Sequence, residues 1–310
     1  MTPGRRNRGV ALITAVLIAA LAGSVASRLA WDNALEVRRT SVALIRDQAI
    51  QIALGAENWL ELILAQDLED SETDHLGEIW AADLPGLPIE GVENGEVFGR
   101  VEDLQGRFNI NNLIGEDGKV DPTSLAQFQR LLVALGLDPR FATIAADWLD
   151  ADQNPSFPDG AEDSIYTGFI PPYRTADQLV SSTSELGALQ GMDKASLDLL
   201  LPHITALPKR TTINVNTATG PVLQSLDENM TTAQVEQLMS ERAETGFADV
   251  KNTFSPLVAK EVLSEIDDST QFFQLKLVVR IDTVRITYYS LLERGPRGDV
   301  VPILRSLGTT

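Results

Sequence analysis

The chain has no cysteine and only two histidines in 310 residues. Without cysteine there is no disulfide and no thiolate chemistry. His75 and His203 stand far apart with no ligand-like spacing, so each reads as an ordinary surface or core residue rather than a metal ligand or base. Basic residues are also scarce. Against 25 Lys and Arg stand 44 Asp and Glu, a net charge of −19. Losing residues 1–9, which hold three arginines and no acid, would take it to −22. A surface of that sign repels nucleic acid and anionic headgroups, and it suits divalent cations and basic partners. No G-x-S-x-G, P-loop or dinucleotide fingerprint occurs.

The features that are present begin at the N-terminus. Arg5, Arg6 and Arg8 precede a charge-free run from Val10 to Ser27, and Arg28 closes it. Large apolar side chains cost about 1.5–3 kcal/mol each when left in water, so this run must be covered. As a helix it nearly crosses a hydrocarbon core of about 30 Å. The arginines hold the N-terminus in the cytoplasm and place the chain beyond Arg28 outside. Three readings compete. One is a cleaved secretory signal, with Ala22-Gly23-Ser24 or Val25-Ala26-Ser27 as its site, although no sharp change of character comes after either. The second is a plain membrane anchor. The third cuts between Gly9 and Val10 and leaves the hydrophobic helix on the mature protein.

The helical pattern continues to about Ala65 through Ile45, Ala49, Ile52, Ala56, Trp59, Leu60 and Ile63, spaced by three and four. Glu69–Asp74 reads as a solvated acidic turn that ends it. Pro85-Gly86-Leu87-Pro88 is loop chemistry. Glu96–Asp103 alternates as a strand, and Gln105–Leu113 reads as a turn and second strand. Residues 113–208 have a helical pattern. One helix starts at Asp121-Pro122 and ends at Gly136, another opens at Pro139, and a third is expected from Thr175 to Leu179. Short helices come after Ser184 and Met192. Residues 209–268 repeat that pattern, with Thr231 and Thr232 as caps for a helix over 233–242. Gln271–Leu292 alternates as two strands, Gly295–Asp299 is a turn, and a last strand covers Val300–Leu304.

One stretch carries chemistry. Six of the twenty residues from Asp147 to Tyr166 are Asp or Glu, with no base among them. Crowded carboxylates repel unless a cation lies between them. A hard cation with six to eight oxygen ligands meets that need, Ca²⁺ more readily than Mg²⁺, which keeps its waters. Asp150-x-Asp152-x-Asn154 opens like an EF-hand loop, but position six is Pro155 and position twelve is Ala161, so the loop only borrows that chemistry. The plain alternative is a solvated acidic loop. Trp148, Phe157 and Tyr166, with stiffening prolines, favour an ordered one.

Three segments carry a family resemblance, and a fourth, Gly106–Asn111, shares it although by itself it reads as a generic hairpin. Arg8-Gly9-Val10-Ala11-Leu12-Ile13-Thr14 resembles the leader of the minor pseudopilin K class of bacterial type II secretion. Thr14 occupies the fifth mature position, where most pilin-like proteins have Glu and the K class does not. Gly106–Asn111, Ile213–Ala218, and the acidic loop with Gly160-Ala161-Glu162-Asp163 and Tyr166 resemble the same class. The resemblance implies an α+β pilin-like fold, a long hydrophobic helix with an antiparallel sheet, interrupted by a large helical insertion of SAM-like or helix-hairpin-helix type. It divides the chain into a leader (1–9), a transmembrane helix (10–27), a pilin-like helix with first strands (28–112), a helical insertion with the cation loop (113–208), a second SAM-like unit (209–268) and terminal strands (269–310).

It also implies structural Ca²⁺ held by Asp150, Asp152, Glu162 and Asp163, with Asn154 and a carbonyl near Gly160 as further donors. Asp147, Asp159 and Asp177 are open candidates for a second ion. Prepilin peptidase would cut after Gly9 and methylate Val10. The mature chain would be a non-enzymatic tip subunit in the inner membrane with its bulk in the periplasm, assembling with I-like and J-like minor pseudopilins and meeting the secretin or cargo. Two rivals are a membrane-anchored periplasmic metal-dependent hydrolase and a helix-hairpin-helix DNA-uptake module. The turn Asp227-Glu228-Asn229-Met230 argues against the second, because it has two acids and no glycine.

Overall fold

The computed structural model describes residues 7–308 with 244 excepted, and only the backbone of residues 7–9. Residues 1–6 of the leader lie outside the described residues. The first helix, α1 (Asn7–Asp70), is continuous over 64 residues, as its unbroken lack of proline allows. From Val10 to Leu44 every side chain is exposed, so this half projects from the rest of the molecule. Its Val10–Ser27 portion is long and apolar enough to cross a membrane. The upper half is amphipathic. Ala49, Ala53, Leu60 and Leu64 are buried against Phe273, Leu275, Leu277, Val279 and Ile281. The small alanines let the helix lie close on the sheet.

That sheet is β1 (Leu84–Pro88), β2 (Gly95–Asp103), then three strands from the far end of the chain. Between β2 and those strands comes the helical body. It contains β3 (Phe108–Asn109), α2 (Pro122–Ala134), α3 (Arg140–Leu149), α4 (Asp163–Tyr166), α5 (Lys194–Leu200) and β4 (Ile204–Thr205). It continues with β5 (Ile213–Asn214), α6 (Gly220–Gln224), α7 (Thr232–Arg242), α8 (Val250–Phe254), α9 (Lys260–Leu263) and β6 (Ile266–Asp267). The chain closes with β7 (Phe272–Ile281), β8 (Val284–Arg294) and β9 (Val300–Leu307). The sheet order is β1-β2-β7-β8-β9, antiparallel throughout. Alternate residues of β7 face α1, as the period-two pattern requires.

The expected second strand of this sheet at 105–113 is not there. Only Phe108 and Asn109 are extended, and they pair in parallel with Ile204 and Thr205 inside the helical body. The side chain of Asn109 accepts from the backbone of Asn111 and of Leu207, which turns the chain into a 3₁₀ turn instead of a strand. The outer partner of β2 is β1, in the stretch read as a loop. Its prolines are tolerated because it is an edge strand, and its pairing shifts between Leu84 and Leu87. The expected helix at 175–179 is also absent. Thr175 and Asp177 donate their amides to Asp163 and to the Trp148 carbonyl instead, and Asp177 adopts φ +50°.

The helical body repeats itself. β3 runs through helices to a parallel partner, β4; β5 runs through helices to a parallel partner, β6. Both units open with an Asn-x-Asn pair used alike. Asn109 and Asn214 each accept from the amide two residues on. Asn111 and Asn216 each accept a distant amide of their own unit, those of Val180 and Phe247. The two units share one continuous buried cluster running from Phe108 to Ile266. In the first unit the chain from α3 to the next 3₁₀ turn, Thr183–Ala188, takes the long acidic loop. In the second, α7 reaches α8 in a few residues.

Candidate metal centre

The acidic loop begins in the last turn of α3. Residues 142–149 of that helix are all buried, so Asp147 points inward among Ile144, Trp148 and Leu149. The C-terminal end of a helix carries partial negative charge, and α3 has no basic residue in its last turn. Asp147 and Asp150 therefore add carboxylates where the backbone is already electronegative. The chain loops away and returns at Glu162, which precedes α4.

Asp147, Asp150 and Glu162 are all buried and offer carboxylate oxygens within 4.8 Å of one another. Asp147 accepts from the Ser156 amide at 3.0 Å through Oδ2, while its Oδ1 has no partner. Both carboxylate oxygens of Glu162, a residue only 1% exposed, are also unpartnered. Burying an unpaired carboxylate costs several kcal/mol. Burial, then the charges of Asp147 and Asp150, pushes the Glu162 carboxyl up to about 8. Burial, then Asp152, pushes Asp150 up to about 6.

The site is closely built. A Cβ on Gly160 would fall on Asp147 Oδ2 and the Ser156 backbone. Below it lies an aromatic floor: Trp148 meets Tyr166 edge-on at 5.1 Å, and Tyr166 meets Tyr173 at 5.3 Å. Tyr166 takes the Gln190 amide on its hydroxyl, and Tyr173 donates to the Ala188 carbonyl.

The remaining residues singled out in the sequence have other partners or other places. Asp152 is exposed and accepts from the Asn154 amide and Nδ2 at 2.7 and 2.9 Å, an Asx-type turn that engages both side chains locally. Asp163 takes the amide and hydroxyl of Thr175 at 3.1 Å and faces Arg174 at 3.3 Å. Asp177 is exposed and holds Gln153. Asp159 is half-buried. Asp147 thus joins Asp150 and Glu162 in one group, although the sequence placed it only among candidates for a second ion. The signal was available: Asp147 and Asp150 stand three apart at a helix end, on one face. An all-oxygen donor set with three unsatisfied buried oxygens fits a hard cation, and Asp147, Asp150 and Glu162 are the residues that would hold it. Gly9, Val10 and Thr14 lie far away on α1, where the Thr14 hydroxyl donates to the carbonyls of Val10 and Ala11.

A second acidic group, Asp67, Asp74 and Glu78, has its counter-charge within the chain. Arg294, 3% exposed, donates to Asp74 at 2.5–2.6 Å and to Asp67 at 3.1 Å and lies 4.9 Å over the Phe273 ring. Burial still pushes Asp74 up to about 7 against the pull of Arg294. Asp103 accepts from Thr270, Thr217 and Asn214, and Asn214 also donates to the Asp74 carbonyl. The stretch 69–74 therefore ends in a buried ion pair where a solvated turn was expected. This network joins α1, the sheet and the second helical unit.

Comparison with known proteins agrees with this architecture. Two family models, both described as type II secretion system protein K, match residues 106–209 and 213–272. The type II secretion system protein K of Pseudomonas aeruginosa is 36% identical, over 98% of this chain and 94% of its own. The protein of that name from Aeromonas hydrophila is 30% identical over 98% of both. A chain in the crystal structure of the GspK–GspI–GspJ complex from the enterotoxigenic Escherichia coli type 2 secretion system superposes with a TM-score of 0.77. It is 23% identical, and the match covers 88% of this chain and all of that one.

Proposed function

The chain belongs to the type II secretion system protein K family, and from that premise we infer that it is a minor pseudopilin acting by assembly, not catalysis. The observation that carries this reading is a family likeness running from the apolar stem to the last strand, over 98% of the chain. On this reading α1 is the anchor in the inner membrane, N-terminus inside, and the head stands in the periplasm. Prepilin peptidase cuts after Gly9, and Val10 becomes the methylated first residue. The I-like and J-like pseudopilins are the partners, as the complex named for the E. coli relative suggests. The helical body is too bulky to continue a filament and so suits the tip, where it caps assembly and meets the secretin or cargo.

We further propose structural Ca²⁺ at Asp147, Asp150 and Glu162, with water and the Asp152 Oδ2, the oxygen that Asn154 does not engage, completing the shell. Ca²⁺ supplies positive charge at the electronegative end of α3, and the three carboxylates tie that helix end to the start of α4. Support comes from the unpartnered buried oxygens of Asp147 and Glu162. A hydrolase would need a base or nucleophile beside the cation that is not itself a ligand, and the neighbours of Glu162 are Asp147, Asp150, Asp152, Asp177 and Tyr166, with no His, Cys or Lys among them. A DNA-binding reading must contend with a net charge of −19.

The maturation reading is tested by Gly9→Val, expressed beside the peptidase. The expected outcome is an uncut precursor, seen as an unshifted intact mass; a mature protein starting at Val10 would contradict it.

A further inference from the structure

Where α1 leaves the bilayer can be read from its side chains. Residues 10–27 carry no charge, and the helix is hydrophobic enough to span a membrane with none of that window buried by protein. Asp32, Glu36, Arg38 and Arg39 follow and belong in water, while Arg28, just below them, carries its guanidinium outward on a long stem to the headgroups. Arg28 and Asp32 already face each other at 3.8 Å across one turn. Between those two charges is Trp31. It is 74% exposed, with no neighbour from the head, whereas Trp80 and Trp148 are buried in their cores and Trp59, 58% exposed, lies on the part of α1 that packs on the head. Twenty-one residues separate Val10 from Trp31, which is about 31 Å of helix, close to the ~30 Å thickness of a hydrocarbon core. An indole beside that boundary places its ring among the acyl chains and its N–H among the headgroups, the setting in which tryptophan is enriched in membrane proteins. Beyond it, residues 32–44 remain exposed and Ile45 is the first to be half-buried by the head.

We propose that Trp31 is the interfacial anchor of this chain: it sits at the outer headgroup–acyl boundary of the bilayer and fixes the depth of α1. Residues 32–44 then form a stalk of about 20 Å that holds the head clear of the lipid. The proposal rests on the reading that α1 stays in the membrane after maturation.

The absence of cysteine makes the test direct, because single reporters can be added to the full chain without removing anything. Ser27→Cys and Leu35→Cys, each spin-labelled, bracket Trp31 by one turn. The protein is reconstituted in phosphatidylethanolamine vesicles containing a minority of phosphatidylglycerol, and its flotation with the vesicles is recorded first. Depth is then read from accessibility to oxygen against a water-soluble nickel complex. The expected result is oxygen preference at 27, nickel preference at 35, and a shift of the crossover by one turn, about 5 Å, on Trp31→Ala, reversed by Trp31→Tyr. A crossover that ignores Trp31→Ala, or both labels on the same side, overturns the proposal. So does protection of both labels from both reagents, which would put a protein partner on this face. Failure to float overturns the anchor reading itself and is separable from those outcomes.

Discussion

Glu162 has a carboxylate that is 1% exposed, without a hydrogen bond, and beside two others. In the calcium-free protein its folded pKa of about 8 exceeds its ordinary 4.5. Between those values the folded chain holds a proton that the unfolded chain releases. Stability from this group is therefore present at low pH and is lost as pH rises from about 4.5 toward 8. With a chelator present, the melting temperature should fall between pH 5 and pH 8, values chosen inside that window. Calcium should restore it at the upper pH, since a bound cation requires ionised ligands. Asp150→Ala with Glu162→Ala should abolish both responses in thermal melts. Gly160→Ala should do more local damage, because its Cβ has no room beside Asp147 and Ser156. Urea unfolding should register a loss of about 1–3 kcal/mol, together with the loss of calcium response. Asp150 and Glu162 were legible as members of one acidic group, because acids without bases in a stiff, aromatic loop repel one another. What was not legible is which oxygens are already engaged. Asp163 and Thr175 are twelve residues apart, so their hydrogen bonds depend on how the loop returns.

Elements were legible where a single periodicity governs them. α1, β7 and β8 match their sequence patterns closely, because one face of each lies on the same core. β1 escaped, since proline and glycine mark loops by local preference, while here they form an edge that need not donate at every position. The strand expected at 105–113 failed for the opposite reason: Asn109, Asn111 and Asn112 are buried and bonded to residues about seventy to a hundred positions away, which no local pattern encodes. The joint between elements was equally hidden. Arg294 is the only guanidinium bonded to Asp74 among the described residues. Replacing it by Met should leave a buried acid unpaired and cost about 3–5 kcal/mol in denaturant unfolding. Adding Asp74→Asn should recover part of that loss. A second tie, Glu57 to Arg305 and Tyr288, fixes α1 to β8 and β9.

At the scale of the whole molecule, the helical body leaves β2 after Asp103 and returns before Phe273, and those two residues are paired neighbours in the sheet. A body of two repeated units thus hangs from one rung, steadied by the Asp74–Asp103–Arg294 network, and the acidic loop enlarges only the first unit. The stem below it is unpartnered in the isolated chain: residues 10–44 are exposed all round, including Leu35, Val37, Val42 and Leu44 above the proposed lipid boundary. Apolar side chains on a stalk in water call for partner helices, and this is where the family membership and the physical reading meet. The most direct test is to purify the full chain alone and with the I-like and J-like pseudopilins of the same bacterium, and to weigh the species by light scattering on a size-exclusion column. The account predicts a discrete heterotrimer holding one copy of each subunit. Elution of this chain as an unchanged monomer with both partners present would contradict it.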